Sequence, residues 1–421
     1  MTYIEFFDEV ASRNISTCLT YAPDRVIYVG ADLELMEEHK KRYERIFRDR
    51  GRTIEFITKK VSCNNLEGAV NLISSIVNTY DDCVFDVTGG AEILNVALGI
   101  VYERYPEKDI RIQKINIGNG FVCDCDKDGE TVFRDTPQLS VDENVRIYGG
   151  EVPYGDIDAD KKTYKWDLTP EFLRDFKLIW QKCKESGRFW NVQIGVLEAV
   201  EAVGSRTGLT TTASRAAVER YLTKNRSEYV KSRNVMGFLT RNRLITRFSD
   251  EDGNNITVTY KNEQIKRCLT VAGQALEMQV FLAAKNARDK KGNPAYNDVL
   301  SGVHIDWDGV FHDAKKDKKH DTENEIDVLL MHGIVPVFIS CKNGNVKADE
   351  LYKLCAVADR FGGPYAKKVL VASALQELGV AGEQIRDRAK DMGIQVVENV
   401  WGMSDAQLSK KLRTLWMDQS L

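Results

Sequence analysis

Along the first 135 residues, short apolar runs alternate with longer amphipathic stretches. The short runs are rich in β-branched and aromatic residues, which predicts strands at 3–7, 26–30, 53–58, 83–87 and 110–117. Helix-length stretches lie between them, as at 33–50 and 66–80. This alternation predicts parallel βαβ units, and hence a doubly wound, Rossmann-like sheet covered on both faces. Ligands of such sheets bind at the carboxyl ends of the strands.

From residue 189 the pattern changes to helices that end in a hairpin. It predicts three helices and then two strands, at 191–203, 213–222, 227–242, 244–248 and 256–260. This order is the outline of a winged helix-turn-helix. Residues 205–247 hold 10 Lys and Arg against 2 Asp and Glu. Arg233, Arg241 and Arg243 are therefore candidates for contact with a nucleic-acid backbone, although a connector between outer domains or a dimer partner fits the same pattern.

Length and composition limit the classes to consider. A chain of 421 residues favours about three domains, and 43% hydrophobic with 29% charged residues is typical of globular proteins. No apolar run reaches the ~18 residues of a membrane span, and the acidic first ten residues do not resemble a signal peptide. Nine scattered cysteines favour reduced thiols over a disulfide framework. We therefore expect a cytoplasmic protein without membrane association.

One turn of the predicted N-terminal sheet has a distinctive chemistry. The segment from Asp86 to Glu92 reads Asp-Val-Thr-Gly-Gly-Ala-Glu and precedes a helical stretch at 93–105. Backbone N–H groups at a helix start, together with the helix dipole, bind phosphate, and the Thr88 hydroxyl adds a donor. Neither GxGxxG nor GxxxxGK[ST] is present, which disfavours an ordinary dinucleotide or P-loop site. An ordinary Gly-Gly turn explains the same residues.

The C-terminal third holds a cluster of candidate catalytic residues. A long helix is predicted at 269–287 with Glu277 among apolar neighbours, and a hairpin is predicted with strands at 326–330 and 335–342. Closure near residue 333 pairs positions whose numbers sum to about 667, which places Glu325, Asp327, Ser340 and Lys342 on one face. Such hard oxygen ligands suit Mg²⁺ or Mn²⁺, and a lysine beside the ion stabilises phosphate charge. A fraying strand end with one ion pair is the alternative. His304 is expected at the surface.

This arrangement resembles the PD-(D/E)xK nuclease core, with Glu277 on a helix, Asp327 on a strand and Ser340-Cys341-Lys342 on the next strand. Ser340 stands where that family has Asp or Glu. Some restriction enzymes of the superfamily have Ser-x-Lys and place the acid on the following helix, which implies Glu350 as the substitute, with Glu325 as the other candidate. The resemblance implies metal ligands from Asp327, Glu277, Glu350 and the Cys341 carbonyl, with Lys342, Asp327 and Glu277 as catalytic residues.

Nearly the whole chain resembles the nucleases with a CRISPR-associated Rossmann fold (CARF) domain, ancillary effectors of type III CRISPR systems. The matching features are the 86–90 turn, residues 324–327, residues 339–344, and Leu351-Tyr352-Lys353-Leu354. The resemblance implies an α/β chain with a Rossmann-like CARF domain (1–150), a central winged-helix-like domain (151–262) and a restriction-endonuclease-like α/β domain (263–421).

The same resemblance implies an activator and a substrate. A homodimer would bind cyclic tetra-adenylate through Thr88, Gly89, Gly90, Ala91 and Asn95, with the loops around Asp8 and Asp32 closing over the bases. The middle domain would transmit the change. Metal-dependent cleavage of single-stranded RNA, DNA or both would follow. Two other functions stay open, namely a catalytically inactive, nucleotide-sensing winged-helix transcription regulator and a restriction-type endonuclease without a second messenger.

Overall fold

The structure is a computed structural model. It describes residues 1–21, 23–117, 121–125, 131–135, 137–159, 161–225, 227, 229, 233–250, 253–271, 273–310, 323–344 and 346–417. These residues contain three β-sheets, of seven, four and five strands, and fourteen α-helices. The mixed α/β class predicted from the sequence is confirmed. None of the helices within the described ranges is long and apolar enough to cross a membrane.

The first sheet has the strand order β3-β2-β1-β4-β5-β6-β7. Its first five members pair in parallel, and β6 and β7 extend one edge as an antiparallel hairpin. The predicted strands and helices of this region are all present, with ends shifted by one or two residues. The strands are Thr2–Phe6, Arg25–Gly30, Glu55–Lys60, Asp82–Asp86, Asp109–Asn116, Phe121–Cys125 and Thr131–Asp135. The helices α1 to α5 are Ala11–Tyr21, Leu33–Asp49, Leu66–Thr79, Glu92–Arg104 and Val141–Ile147.

Strand β1 is fully buried because it lies at the centre of this sheet. Two of the crossover helices begin with a side-chain cap. Asp32 accepts a hydrogen bond from the backbone of Leu35 at the start of α2, and Asn65 caps α3 in the same way. Helix α4 begins at Ala91 with no side-chain cap. The helix that follows the Thr-Gly-Gly turn therefore has no side chain of its own bonded to its first N–H groups.

The middle region contains α6 to α9 and β8 to β11. The three predicted helices and the final hairpin occur in the predicted order as α7, α8, α9 and β10–β11, but two strands that were not predicted, β8 and most of β9, lie between α7 and α8. Strands β10, β11, β9 and β8 pair in that order. The prediction of a helix at 213–222 was wrong at its start, since the threonine-rich residues before Ser214 pair with β11 as a strand and Ser214 then caps α8. The helices α6 to α9 are Pro170–Ser186, Arg188–Val203, Arg215–Lys224 and Arg233–Arg241. The strands β8 to β11 are Ser205–Thr207, Thr210–Ser214, Ile245–Ser249 and Asn255–Tyr260.

The third sheet has the order β12-β13-β14-β15-β16 and is flanked by α10 to α14. The single long helix predicted at 269–287 is instead two helices, because Gly273 takes a left-handed φ of 86° and separates α10 from α11. The helices are Glu263–Thr270, Gln274–Lys285, Ala348–Gly362, Val380–Asp391 and Asp405–Leu412. The strands are Asp298–Asp306, Glu323–His332, Val335–Lys342, Lys367–Ala372 and Ile394–Val397. The many charged residues at 315–323 predict a solvated loop, of which residues 315–322 lie outside the described part.

The three sheets share their cores. One apolar cluster fills the face of the first sheet under α3 and α4. A second cluster joins the opposite face of the first sheet to one face of the third, with members such as Tyr28 and Leu329. A third cluster joins the other face of the third sheet to the middle region, with members such as Val328 and Leu239. The third sheet is therefore in direct contact with both other regions, and each contact is apolar and buried.

Candidate functional site

The hairpin of β13 and β14 has the predicted register. Val328 pairs with Ile339, a sum of 667, and this register brings Asp327 opposite Ser340. The Asp327 Oδ2 accepts a hydrogen bond of 2.5 Å from the Cys341 backbone N–H and one of 3.3 Å from the Ser340 hydroxyl. Burial raises the pKa of Asp327, while Lys342 and the Cys341 N–H oppose that rise. Asp327 is thus fixed at the strand end where Lys342 also lies.

Lys342 lies between two carboxylates. Its Nζ is 3.1 Å from Glu350 Oε2 and 3.7 Å from Asp327 Oδ2. Burial alone would lower the pKa of Lys342, but the carboxylates of Asp327 and Glu350 raise it on balance. The lysine is therefore held in its charged form. The paired Lys342 in turn lowers the pKa of Glu350 against the effect of burial.

Glu277 faces the same cluster from the first turn of α11. The residue is 9% exposed, and its Oε2 accepts a hydrogen bond of 3.2 Å from the Gln274 amide. Burial raises the pKa of Glu277 well above its usual value, and the negative charges of Asp327 and Glu325 raise it further. The break at Gly273 thus sets where this carboxylate enters the core. The positive charges of Lys342 and Arg267 partly oppose this rise in pKa.

The two candidates for the acid missing at Ser340 occupy different environments. Glu350, on α12, contacts Lys342 and Lys353, and its side chain is 25% exposed. Glu325 is 48% exposed and lies 3.8 Å from the His304 ring. The expectation that His304 lies at the surface was wrong, because its side chain is only 14% exposed. The register of β12 places it directly opposite Glu325.

A cavity of about 350 Å³ opens between the hairpin and α12. The side chains of Asp327, Lys342, Glu350 and Lys353 line it, together with Glu325. Sequence reasoning missed Lys353 as a site residue, although its spacing of three from Glu350 puts both on one helix face. Glu277 does not reach the cavity lining. The cavity lining therefore carries two ammonium groups and three carboxylates, which can meet both an anionic group and a cation.

The donor chemistry at this site fits a hard divalent cation, since Asp327, Glu277 and Glu350 offer carboxylate oxygens. The side chains are not arranged as a complete metal site. Across the described ranges, no three His, Cys, Asp or Glu side chains are grouped closely enough to hold a metal ion. Asp327 is instead bonded to the Cys341 N–H, and Glu350 to lysines.

A contact between the middle region and the end of β14 was not expected from the sequence. Asn191, in the first turn of α7, donates to the Asn343 carbonyl at 2.5 Å and accepts from the Asn343 side chain at 2.9 Å. Asn343 directly follows Lys342. Two reciprocal amide hydrogen bonds therefore tie α7 to the residue next to the candidate catalytic lysine.

The turn after β4 is built on two buried carboxylates. Glu5 and Asp86 are paired neighbours on β1 and β4, and the Thr17 hydroxyl is 2.8 and 2.6 Å from them. Asp86 accepts a hydrogen bond from the Thr88 N–H, and Thr88 Oγ1 accepts one of 2.7 Å from the Ile115 N–H. Burial raises the pKa of Asp86 to about 6 and that of Glu5 well above its usual value. Thr88 is thus held by the sheet itself.

The two glycines of the turn are required by packing against the end of β1. A Cβ on Gly90, where φ is 82°, would lie 2.9 Å from the Phe6 carbonyl oxygen. A Cβ on Gly89 would lie 2.8 Å from the Asp8 carboxylate. Gly90 also donates its N–H to Asp8 Oδ2 at 3.2 Å. Packing therefore requires glycine at both positions, whether or not a ligand binds there.

The remaining predicted ligand residues open α4. Ala91 is the uncapped N-cap residue. Asn95 lies one turn further along, and its Oδ1 is buried without a hydrogen-bond partner in the described structure. Of the two loops expected over the bases, Asp32 is used to cap α2 and Asp8 turns toward Gly90. The structure thus brings the five predicted residues together at one strand end.

No family model and no curated protein matches this sequence. Among solved structures, protein VC1899 from Vibrio cholerae matches with a TM-score of 0.73 at 15% identity, covering 99% of this chain and 97% of that one. Can2 from Sulfobacillus thermosulfidooxidans, solved in complex with cyclic tetra-adenylate, matches with a TM-score of 0.63 at 15% identity, covering 98% and 97%. The chain has the fold of these proteins. The likeness extends over nearly the full length of the chain.

Proposed function

We propose that this protein is a metal-dependent nuclease, activated by cyclic tetra-adenylate, that cleaves single-stranded RNA, DNA or both in type III CRISPR antiviral defence. The observation that carries the nuclease part is the placement of Lys342 within 3.1 to 3.7 Å of Glu350 and Asp327 at one cavity. A charged lysine among carboxylates at the end of a hairpin suits the binding and hydrolysis of a phosphodiester. The shared fold with Can2 supports the activator part.

In the proposed reaction, Lys342 stabilises the negative charge that develops on the phosphoryl oxygens as water attacks phosphorus and the leaving oxygen departs. The carboxylates of Asp327 and Glu350 keep the ammonium charged and in place, against the effect of burial. Lys353, on the open side of the cavity, contributes a second positive charge toward the phosphate backbone. These residues therefore bind and orient the substrate.

Asp327, Glu277, Glu350 and the Cys341 carbonyl would hold Mg²⁺ or Mn²⁺. The chemistry supplied by such an ion is polarisation of a phosphoryl oxygen and acidification of bound water. In the present arrangement Asp327 bonds the Cys341 N–H and Glu350 bonds Lys342. We therefore propose that these carboxylates turn toward the ion when it binds. Glu350, rather than the more exposed Glu325, takes the place of the acid missing at Ser340.

For the activator, we propose that Thr88, Gly89, Gly90, Ala91 and Asn95 contact cyclic tetra-adenylate across a homodimer. A two-fold symmetric ring suits two copies of the same site. The unpartnered Asn95 Oδ1 and the uncapped start of α4 provide polar groups for it. We propose the division 1–150, 151–262 and 263–421 for the sensing, connecting and nuclease parts, and a cytoplasmic location.

The test is a cleavage assay with Mn²⁺, labelled single-stranded RNA and DNA, with and without cyclic tetra-adenylate. We expect activator-dependent cleavage that Lys342→Ala reduces by roughly 100-fold or more, the effect of removing one preorganised charge from a site. Lys368→Ala is the matched control, because Lys368 is also half-buried and ion-paired, with Asp359, on the adjacent strand β15. Equal cleavage by Lys342→Ala and the wild type would remove the assigned active site.

The winged-helix order of the middle region favours one other function, a nucleotide-sensing transcription regulator. Arg241 and Arg243 are exposed at the end of α9, where they could contact duplex DNA. This function predicts a sequence-specific duplex shift without cleavage, lost on Arg241→Ala. Cleavage that does not respond to any cyclic nucleotide would instead indicate a restriction-type endonuclease.

A further inference from the structure

The Gly-Gly turn already binds an anion that belongs to the chain itself. Asp8 Oδ2 accepts the Gly90 N–H at 3.2 Å. The Asp8 side chain is only 15% exposed, and Asn14 fixes its backbone by hydrogen bonds of 2.8 and 2.7 Å. The second oxygen, Asp8 Oδ1, accepts the Val10 N–H at 2.8 Å. This carboxylate therefore lies in a defined place on the turn.

The same carboxylate oxygen connects to the nuclease part of the chain. Arg13, on α1, donates from Nη1 to Asp8 Oδ2 at 2.9 Å and from Nε to the Tyr365 hydroxyl at 3.0 Å. Its guanidinium also lies 5.6 Å from the centre of the Tyr365 ring. Gly90, Asp8, Arg13 and Tyr365 thus form one continuous chain of polar contacts, which we call the Asp8 relay.

Tyr365 lies at the junction of two elements that reach the candidate active site. It ends the short 3₁₀ turn after α12, and β15 begins two residues later. Helix α12 carries Glu350 in its first turn, and β15 pairs in parallel with β14, where Ala372 is opposite Lys342. A displacement of Tyr365 therefore acts on a helix and a strand that bear directly on the Lys342 and Glu350 pair.

We propose that the Asp8 relay is an autoinhibitory contact, in which Asp8 competes with the activator phosphate for the Gly90 N–H and Tyr365 transmits the outcome to α12 and β15. While the Gly90 N–H donates to Asp8, it cannot donate equally well to a phosphate. A carboxylate and a phosphate at the same donor also repel each other. Activator binding and the intact relay therefore exclude one another, and the activator shifts the chain toward the state without the relay. The route bypasses the middle region. The identity of the ligand rests on the proposed function. The contact from Gly90 through Asp8 and Arg13 to Tyr365 does not.

The test uses the full chain with Tyr365→Phe, which removes only the hydroxyl that Arg13 binds, and Asp8→Asn, which removes the carboxylate charge that competes with the activator phosphate. Tyr229→Phe is the matched control, since it removes a hydroxyl bond of 2.9 Å to Asp250 in the middle region. The measurements are affinity for cyclic tetra-adenylate by titration, and hydrogen–deuterium exchange of the peptide spanning residues 87–93 without added nucleotide.

Because both relay variants weaken the competitor of the activator, each should bind cyclic tetra-adenylate about fivefold more tightly, equivalent to ~1 kcal/mol. Each should also exchange the 87–93 peptide faster than the wild type. Activator-free cleavage should rise in both variants. Tyr229→Phe should change none of these quantities.

Unchanged affinity in both relay variants overturns the proposal, and so does an equal effect of Tyr229→Phe. If the wild type binds no cyclic tetra-adenylate, the proposed function fails. The hydrogen–deuterium exchange measurement then tests by itself whether the Asp8 relay connects Tyr365 to the turn. Faster exchange in Tyr365→Phe then supports a mechanical connection from residue 365 to the turn, whereas unchanged exchange overturns it.

Discussion

Two carboxylate pairs in the described part of the chain, Glu5 with Asp86 and Asp327 with Glu350, differ in what surrounds them. Glu5 and Asp86 are 2% and 1% exposed and are bonded by neutral groups, the Thr17 hydroxyl and, at Glu5, the Cys18 thiol. Asp327 and Glu350 share the ammonium of Lys342 and line a cavity. Both groups carry acids whose pKa values are perturbed. Only Asp327 and Glu350 lie beside a cation and at a cavity open to solvent.

The difference explains why a buried acid pair is not in itself evidence of catalysis. Without a cation nearby, burial raises the pKa values of Glu5 and Asp86, so the two acids are most stable when they share a proton. Their hydrogen bonds hold the 86–90 turn in place. Beside Lys342, the acids of the third sheet keep a positive charge at an open site, where it can act on a phosphate.

The largest expected effect comes from Asp327→Asn. The amide still accepts the Cys341 N–H but removes the charge next to Lys342, so we expect activator-dependent cleavage to fall roughly 10²- to 10³-fold, as for loss of one preorganised group. Single-turnover cleavage assays measure it. Asp359→Asn on the exposed side of α12 should leave the rate near that of the wild type. A loss below threefold in Asp327→Asn would mean that Asp327, like Glu5 and Asp86, has only a structural role.

A smaller effect should separate the two substitute acids. Glu350→Gln removes the ion pair of 3.1 Å to Lys342, so we expect a loss of about 30-fold, or ~2 kcal/mol. Glu325→Gln removes a half-exposed group facing His304, and we expect less than a threefold loss. Mn²⁺ titration of cleavage for both variants measures the contribution of each acid to metal affinity. The reverse order would assign the missing ligand to Glu325.

The third prediction concerns stability rather than cleavage. Asp86 has a folded-state pKa of about 6 against an ordinary value of 3.8, so between these pH values the folded state binds more protons than the unfolded state. The free energy of unfolding therefore falls as pH rises through this window. Asp86→Asn should remove that penalty and stabilise the protein by ~2–3 kcal/mol at pH 7.

Urea unfolding of wild type and Asp86→Asn at pH 4.5, 5.5 and 7 checks this prediction. The difference between the two proteins should shrink as the pH falls. Asp327→Asn should bring no such gain, because it leaves the buried Lys342 with one partner fewer. A difference for Asp86→Asn that is constant over this range would mean that Asp86 does not carry the buried charge.

The fold of the outer regions was predictable because their patterns are local. Apolar runs bounded by turns gave the five parallel strands of the first sheet but not its β6–β7 hairpin, and the alternation along the two strands of the β13–β14 hairpin gave the register that puts Asp327 beside Ser340 and near Lys342. Predictions failed where local signals compete. Ala213 and Ser214, at the end of β9, and the break at Gly273 both fall inside stretches whose other residues suit a helix.

The sequence by itself determined which residues bear chemistry and which strand ends they occupy, since strand alternation and turn residues act over a few positions. Only the tertiary structure decided what those residues contact. Asp8 and Gly90 are 82 residues apart, Arg13 and Tyr365 are 352 apart, and Asn191 and Asn343 are 152 apart. Such contacts depend on how the three sheets share their buried cores, and no local pattern encodes that packing.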